Sequence, residues 1–150
     1  MATLVDTNVL VYRIDPRFPE KQRVAGEVLF EGLRRESFYL PHQAIVEFIA
    51  ATTRSRGGEP ALLPLDEAWR HAEELLDSFP VIHPSDAVVR TAIRGAAVYQ
   101  LSWYDAHLWA YAEVHGFETL LSEDFEHRRW YGRVQTIDPF QSTEYALHEP

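Results

Sequence analysis

Four acidic residues stand where a folded chain could bring carboxylates together. Asp6 follows the apolar, β-rich run Thr3–Val5, and Asp124 follows a second such run, Thr119–Leu121. Glu47 lies on a helix that Pro41 opens, and Asp105 lies in the first turn of a helix that Ser102 can cap. Taken singly, each has an ordinary structural reading. Asp6 can begin an Asx-turn, Asp105 can be the acid of a capping box, Asp124 can be an exposed loop acid, and Glu47 can face solvent. Taken together, carboxylates drawn within a few ångströms of one another cannot all stay ionised without a counter-charge. A divalent cation supplies it, and oxygen-only ligands select magnesium or manganese over zinc. Such a cation activates water and stabilises in-line displacement at a phosphodiester.

The elements that must hold these acids are legible in the apolar pattern. Residues 19–36 carry Val24, Val28, Leu29 and Leu33 at helical spacing, and residues 41–52 carry Ile45, Phe48, Ile49 and Thr52. Leu65, Trp69, Ala72, Leu76 and Phe79 predict the buried stripe of a third helix. Val89, Ile93 and Ala96 predict that of a fourth, capped by Ser85. The helix after Ser102 runs to about His115 and stops at Gly116. Short strands are expected at residues 3–5, 38–40, 81–82, 119–121 and 134–137. Strands alternating with amphipathic helices predict an α/β domain with a mainly parallel sheet, whose site lies beyond the carboxyl ends of the strands. No linker divides the chain. The expected organisation is one domain over residues 1–140 and a polar tail over 141–150.

Composition narrows the function. A 150-residue chain can bury a core without a metal or disulfide staple, so any metal serves function. The absence of cysteine excludes disulfides, thiolate zinc sites and cysteine nucleophiles, and fits a cytoplasmic protein. The N-terminus lacks the basic region of a signal peptide, and no apolar run approaches a membrane span, so no membrane association is expected. A net charge of −9 speaks against a generally basic nucleic-acid-binding face; any grip on a polyanion must be local. Arg128, Arg129 and Arg133, interleaved with Trp130 and Tyr131 just after Asp124, are the first such cluster. Arg54 and Arg56, beside Gly57 and Gly58, are the second. The alternative for the first is a solvated loop with Trp130 tucked into the core. Asp66, Glu67, Glu73, Glu74 and Asp77 form an acidic helix face, open to solvent or to a basic partner. His107 stands two residues after Asp105 and reads as structural or surface, as do His83, His115 and His127.

Residues 4–12, Leu-Val-Asp-Thr-Asn-Val-Leu-Val-Tyr, resemble the opening of PIN-domain nucleases. The resemblance continues through Ile45-Val46-Glu47-Phe48, through Asp105 within residues 102–110, and through Leu121-Ser122-Glu123-Asp124-Phe125, and covers residues 4 to about 140. Size and order are similar to the single-domain VapC-type toxins of toxin–antitoxin pairs. The resemblance implies a three-layer α/β/α domain and a magnesium- or manganese-dependent endoribonuclease. It carries over Asp6, Glu47, Asp105 and Asp124 as the catalytic acids, with Asp6, Asp105 and Asp124 as metal ligands. Asn8 and Ser122 match positions that orient a carboxylate; their plain alternative is a turn or cap. RNA, a cognate antitoxin and a second copy of the chain are the implied partners. Two other families that open on a strand and an Asp fit poorly. A haloacid-dehalogenase-like enzyme needs an acid where Asn8 stands. A receiver-like module needs a late lysine, and the chain's sole lysine is Lys21. A PIN-like module that binds RNA or protein without cutting, and a DNA-cutting relative, stay open.

Overall fold

The chain enters its own core at once. Strand β1 (Thr3–Val5) is buried along its whole length and forms the middle of a six-stranded sheet. The computed structural model describes residues 2–141; the expected tail over 141–150 lies outside them except for Gln141. The other strands are β2 (Phe38–Pro41), β3 (Val81–Ile82), β4 (Thr119–Leu121), β5 (Trp130–Tyr131) and β6 (Val134–Ile137), in the order β3-β2-β1-β4-β6-β5. All neighbours run parallel except the β5–β6 hairpin at one edge.

Alternation along the strands divides the apolar residues between two cores. Val5, Leu40, Leu121 and Ile137 face one side, under helices α1 (Thr7–Tyr12), α2 (Pro19–Arg34), α3 (His42–Thr53) and α4 (Leu65–Ser78). Leu4, Leu120 and Val134 face the other, under α5 (Asp86–Tyr99) and α6 (Trp103–His115). The result is the expected three-layer α/β/α arrangement. From β1 the sheet grows to β2 on one side and to β4 on the other, so the crevice where the order reverses opens above their carboxyl ends. Among the described residues no helix is long and apolar enough to cross a membrane.

Three local features depart from the sequence reading. Residues 7–12, read only as a continuing apolar run, form the short helix α1. Trp130, the alternative core residue, is exposed, while Tyr131 beside it is buried in β5. The buried faces of α4 and α5 are also rotated by about one residue from those the spacing predicts. α4 buries Ala72 as expected, with Phe79 at its C-cap, but adds Ala68 and Leu75 and leaves Leu65, Trp69 and Leu76 about half exposed; α5 buries Val88, Ala92 and Gly95 and leaves Val89 and Ile93 out. Small residues at the contact let each helix approach closely, which the bulkier neighbours would prevent.

Gly95 is the tightest case. A Cβ there would overlap the indole of Trp109 on α6. That indole is buried and its Nε1 donates to the Tyr131 carbonyl at 2.9 Å, so it has little room to yield. Gly95→Ala is therefore expected to destabilise by about 1–3 kcal/mol, despite alanine's better helix propensity. Chemical denaturation checks this; an unchanged or raised midpoint would show that Trp109 is free to move.

Candidate active site

Asp6 and Asp124 stand just beyond the carboxyl ends of β1 and β4, Asp105 in the first turn of α6 and Glu47 midway along α3. β1 passes directly into α1, so Asp6 becomes the helix N-cap, and one carboxylate oxygen accepts from the Thr7 N–H at 2.6 Å. Asp6, for which the sequence offered an Asx-turn, is thus a helix N-cap instead, and its second oxygen is left for other partners. That oxygen accepts from Ser122 Oγ at 2.6 Å and from Asn8 Nδ2 at 3.1 Å. Ser122 follows β4 and is fully buried, and its hydroxyl also accepts from the Asp124 N–H at 3.1 Å. Asn8 Nδ2 reaches Asp124 Oδ2 at 3.2 Å, and its Oδ1 accepts from the Glu123 N–H at 3.4 Å. Asn8 and Ser122 therefore tie the exit of β1 to the exit of β4 and set the spacing of Asp6 and Asp124.

Glu47 comes from α3 and Asp105 from α6, helices on opposite faces of the sheet. Thr7 Oγ1 donates to one Glu47 oxygen at 2.9 Å, and Gln43 Nε2 donates to the other at 2.9 Å. Gln43 also donates to the Tyr104 carbonyl at 3.1 Å and its carbonyl oxygen meets His107 Nδ1. Gln43 thus joins α3 to α6 across the site. The sequence reading missed Thr7 and Gln43, although Gln43 stands one helical turn before Glu47, the spacing at which side chains meet. His107 is half-buried behind the site, edge-on to Tyr111, as a structural residue. Ser102 Oγ caps α6 by accepting from the Asp105 N–H at 3.2 Å. His127 accepts a backbone N–H from Asp138, His83 lies beside His42, and His115 is exposed.

Burial and mutual repulsion govern the charges. Asp6 is only 4% exposed, and burial pushes its carboxyl up to about 7. The Ser122 hydroxyl and the Thr7 N–H oppose that rise, while the charges of Asp124 and Glu47 add to it. Burial also raises Asp105, with Asp124 and Glu47 adding repulsion, and raises Asp124, with Glu123, Glu47 and Asp138 adding theirs. The four acids thus share one electrostatic site, and all four line one groove of about 830 Å³. Glu123 is diverted: Tyr12 donates its hydroxyl to it at 2.6 Å and Lys21 donates at 2.9 Å.

Among the described residues, no three Asp, Glu or His side chains stand ready to enclose an ion. A magnesium-type ion does not need such a cage. It is held through one or two carboxylates and keeps several waters. An oxygen-only donor set, with a buried acid whose charge is uncompensated, fits that kind of ion and no thiolate-loving one.

The Arg128, Arg129 and Arg133 cluster is not brought to this groove. It sits on and around the β5–β6 hairpin at the sheet edge, two strands beyond β4. Arg129 pairs with Glu126 and stacks over Tyr131, and Arg133 pairs with Glu113. Arg54 and Arg56, the second cluster, do line the groove.

Solved structures share this fold. A toxin–antitoxin complex from Klebsiella pneumoniae has a chain 16% identical, with a TM-score of 0.64, covering 92% of this chain and 98% of its own. DNA-bound VapBC from Salmonella typhimurium is 12% identical with a TM-score of 0.67, covering 93% and 98%. VapBC2 from Rickettsia felis bound to a promoter DNA fragment is 11% identical with a TM-score of 0.66, covering 91% and 97%. No curated protein matches the sequence. Residues 3–132 match the PIN domain model, a span that starts in β1 and takes in all four acids, and the chain belongs to the PIN domain family.

Proposed function

We propose that this protein is a metal-dependent endoribonuclease and the toxin of a type II toxin–antitoxin pair. The observation that carries the reading is the convergence of Asp6, Glu47, Asp105 and Asp124, from four distant segments, on one groove at the switch point of the sheet. The toxin assignment draws on the fold likeness to chains of toxin–antitoxin complexes.

Asp6 and Asp105, with Asp124, would hold magnesium or manganese. When bound, the ion supplies Lewis acidity at the phosphodiester and lowers the pKa of its water. The remaining work falls to the chain. Asn8 and Ser122 fix the Asp6 and Asp124 oxygens, so that little reorganisation is needed when charge develops. Thr7 and Gln43 hold Glu47 by one hydrogen bond to each oxygen, leaving lone pairs to orient the attacking water. The same reading makes the protein a cytoplasmic homodimer whose groove is covered, at rest, by a basic segment of the antitoxin.

The test is incubation of single-stranded RNA, and DNA of the same sequence, with magnesium, manganese, calcium or EDTA. RNA cleavage in magnesium or manganese and none in EDTA is expected. DNA cleavage alone would replace RNA as the substrate, and binding without cleavage in every metal would leave a non-cutting module. Light scattering of the protein alone, and with the product of the adjacent reading frame, checks the dimer and the antitoxin.

A further inference from the structure

The groove extends past the acids. α3 lines it from Gln43 through Glu47 and Ala50 to Arg54, one face of the helix. At the rise of an α-helix, Arg54 lies ~10 Å along the axis from Glu47. Val11, Arg17, Ala51, Arg54 and Arg56 also line an adjoining hollow of about 250 Å³, so the groove continues into a second compartment.

Among the described residues, half of the 14 lysines and arginines are engaged in ion pairs. Arg23, Arg34, Arg129, Arg133 and Lys21 all face carboxylates. The exposed Arg54 and Arg56 side chains have no ion-pair partner among the described residues, and both border the groove. Their loop is built, not loose. Arg56 and Glu59 exchange backbone hydrogen bonds at 3.3 and 2.8 Å around Gly57 and Gly58, whose φ values of +56° and +84° make a two-residue turn of the primed kind. A strut holds this hairpin: Arg17 donates to Glu59 at 2.9 Å and grips buried Asp15 through both carboxylate oxygens at 3.0 and 2.9 Å. Arg17 in turn lies over the ring of Phe18, which is 45% exposed and also lines the groove.

Resting on the nuclease reading, we propose that this compartment is a single-strand subsite: Arg54 and Arg56 hold phosphodiester groups beyond the cleavage point, and the Phe18 ring underlies a base. Four carboxylates repel a polyanion, so the strand needs cationic purchase displaced from them yet continuous with them. Guanidiniums without internal partners provide it, and an exposed ring beside them is the pairing that single-strand sites use.

The test compares Arg54→Ala/Arg56→Ala with Arg90→Ala/Arg94→Ala, which removes the same charge from α5. Binding of a labelled single-stranded RNA and of the same DNA sequence is titrated over a salt series in calcium, and RNA cleavage is followed in magnesium. The first variant is expected to weaken binding of both strands about tenfold or more and to flatten the salt slope by about 1.4, the release of two single-strand phosphate contacts. KM should rise while cleavage at saturation persists, and Phe18→Ala should weaken binding without changing the slope. Wild-type slope and KM in the Arg54/Arg56 variant, with wild type still cutting, would overturn the subsite and leave the nuclease reading standing. Equal loss in the Arg90/Arg94 variant would reduce it to overall charge, and loss confined to RNA would exclude a phosphate grip. Intact RNA binding with loss of a protein that co-elutes with wild type would assign the hairpin to a protein partner. A wild type that neither binds nor cuts either strand in any metal would remove both readings together.

Discussion

Replacing Asp6 by asparagine is expected to cut ribonuclease turnover by a factor on the order of 10²–10³ while raising the melting temperature of the metal-free protein. The two effects have one cause. The Asp6 carboxyl is buried and raised to about 7, so at neutral pH its ionisation competes with Asp124 and Glu47 for too little compensation. Asparagine keeps the N-cap, because its carbonyl accepts the Thr7 N–H as the carboxylate does. Its amide can donate to Ser122 Oγ in place of Asn8, which keeps Asp124 as acceptor; the Ser122 hydroxyl loses its own acceptor, a cost smaller than the burial and repulsion removed. With the repulsion gone, a gain of about 1–3 kcal/mol is expected, or roughly 3–10 °C at this size. The same change removes a ligand oxygen from the proposed ion. The paired measurement is cleavage rate in magnesium and melting in EDTA. Full activity in the variant would sink the site as drawn.

The second large effect concerns pH. An acid that holds its proton more tightly folded than unfolded stabilises the fold at low pH. That contribution is full below the ordinary carboxylate value of 3.8 and is lost as pH rises to about 7. For Asp6 the loss amounts to up to about 4 kcal/mol, and the raised carboxyls of Asp105 and Asp124 act in the same direction. Asp15 works oppositely and elsewhere: Arg17 lowers its carboxyl, so its contribution disappears only as pH falls below the usual carboxylate range. Unfolding in EDTA should therefore grow easier from pH 5 to pH 7.5. Manganese should reverse that trend, since metal and proton compete for the same oxygens and metal wins as pH rises. Burial lowers the His107 imidazole, which works against this trend, so Asp6→Asn is the control: a pH dependence equal in wild type and variant would contradict the role given to Asp6.

The sequence disclosed the acids because their positions follow from the elements. A strand that ends on Asp6, another that ends just before Asp124, and a helix capped by Ser102 each fix one acid within a residue or two. The oxygen-rich links between them were harder to see. Asn8 and Ser122 could be singled out through the family resemblance. Gln43 is signalled only by its place one helical turn before Glu47, and Thr7 shows no signal until α1 and α3 are side by side. The arginines reveal a different limit. Composition and neighbours favoured Arg128, Arg129 and Arg133, but strand order sends that hairpin to the sheet edge, and strand order is not written in local pattern. The rotated faces of α4 and α5 have a third origin: periodicity finds large apolar residues, whereas close helix contacts select Ala68, Ala92 and Gly95.

The position of β1 between β2 and β4 has a consequence for how the protein is made. Asp6 is synthesised long before Ser122, which holds its second oxygen, and Asp124, its partner across Asn8. At about 5–20 residues per second, the stretch from Asp105 to Asp124 alone takes a second or more to synthesise. Until it emerges, β1 lacks one neighbour and the acids have no common groove. The groove therefore forms in one step, when β4 and β6 add to β1, and on the nuclease reading proposed above no partial fold without them would be active.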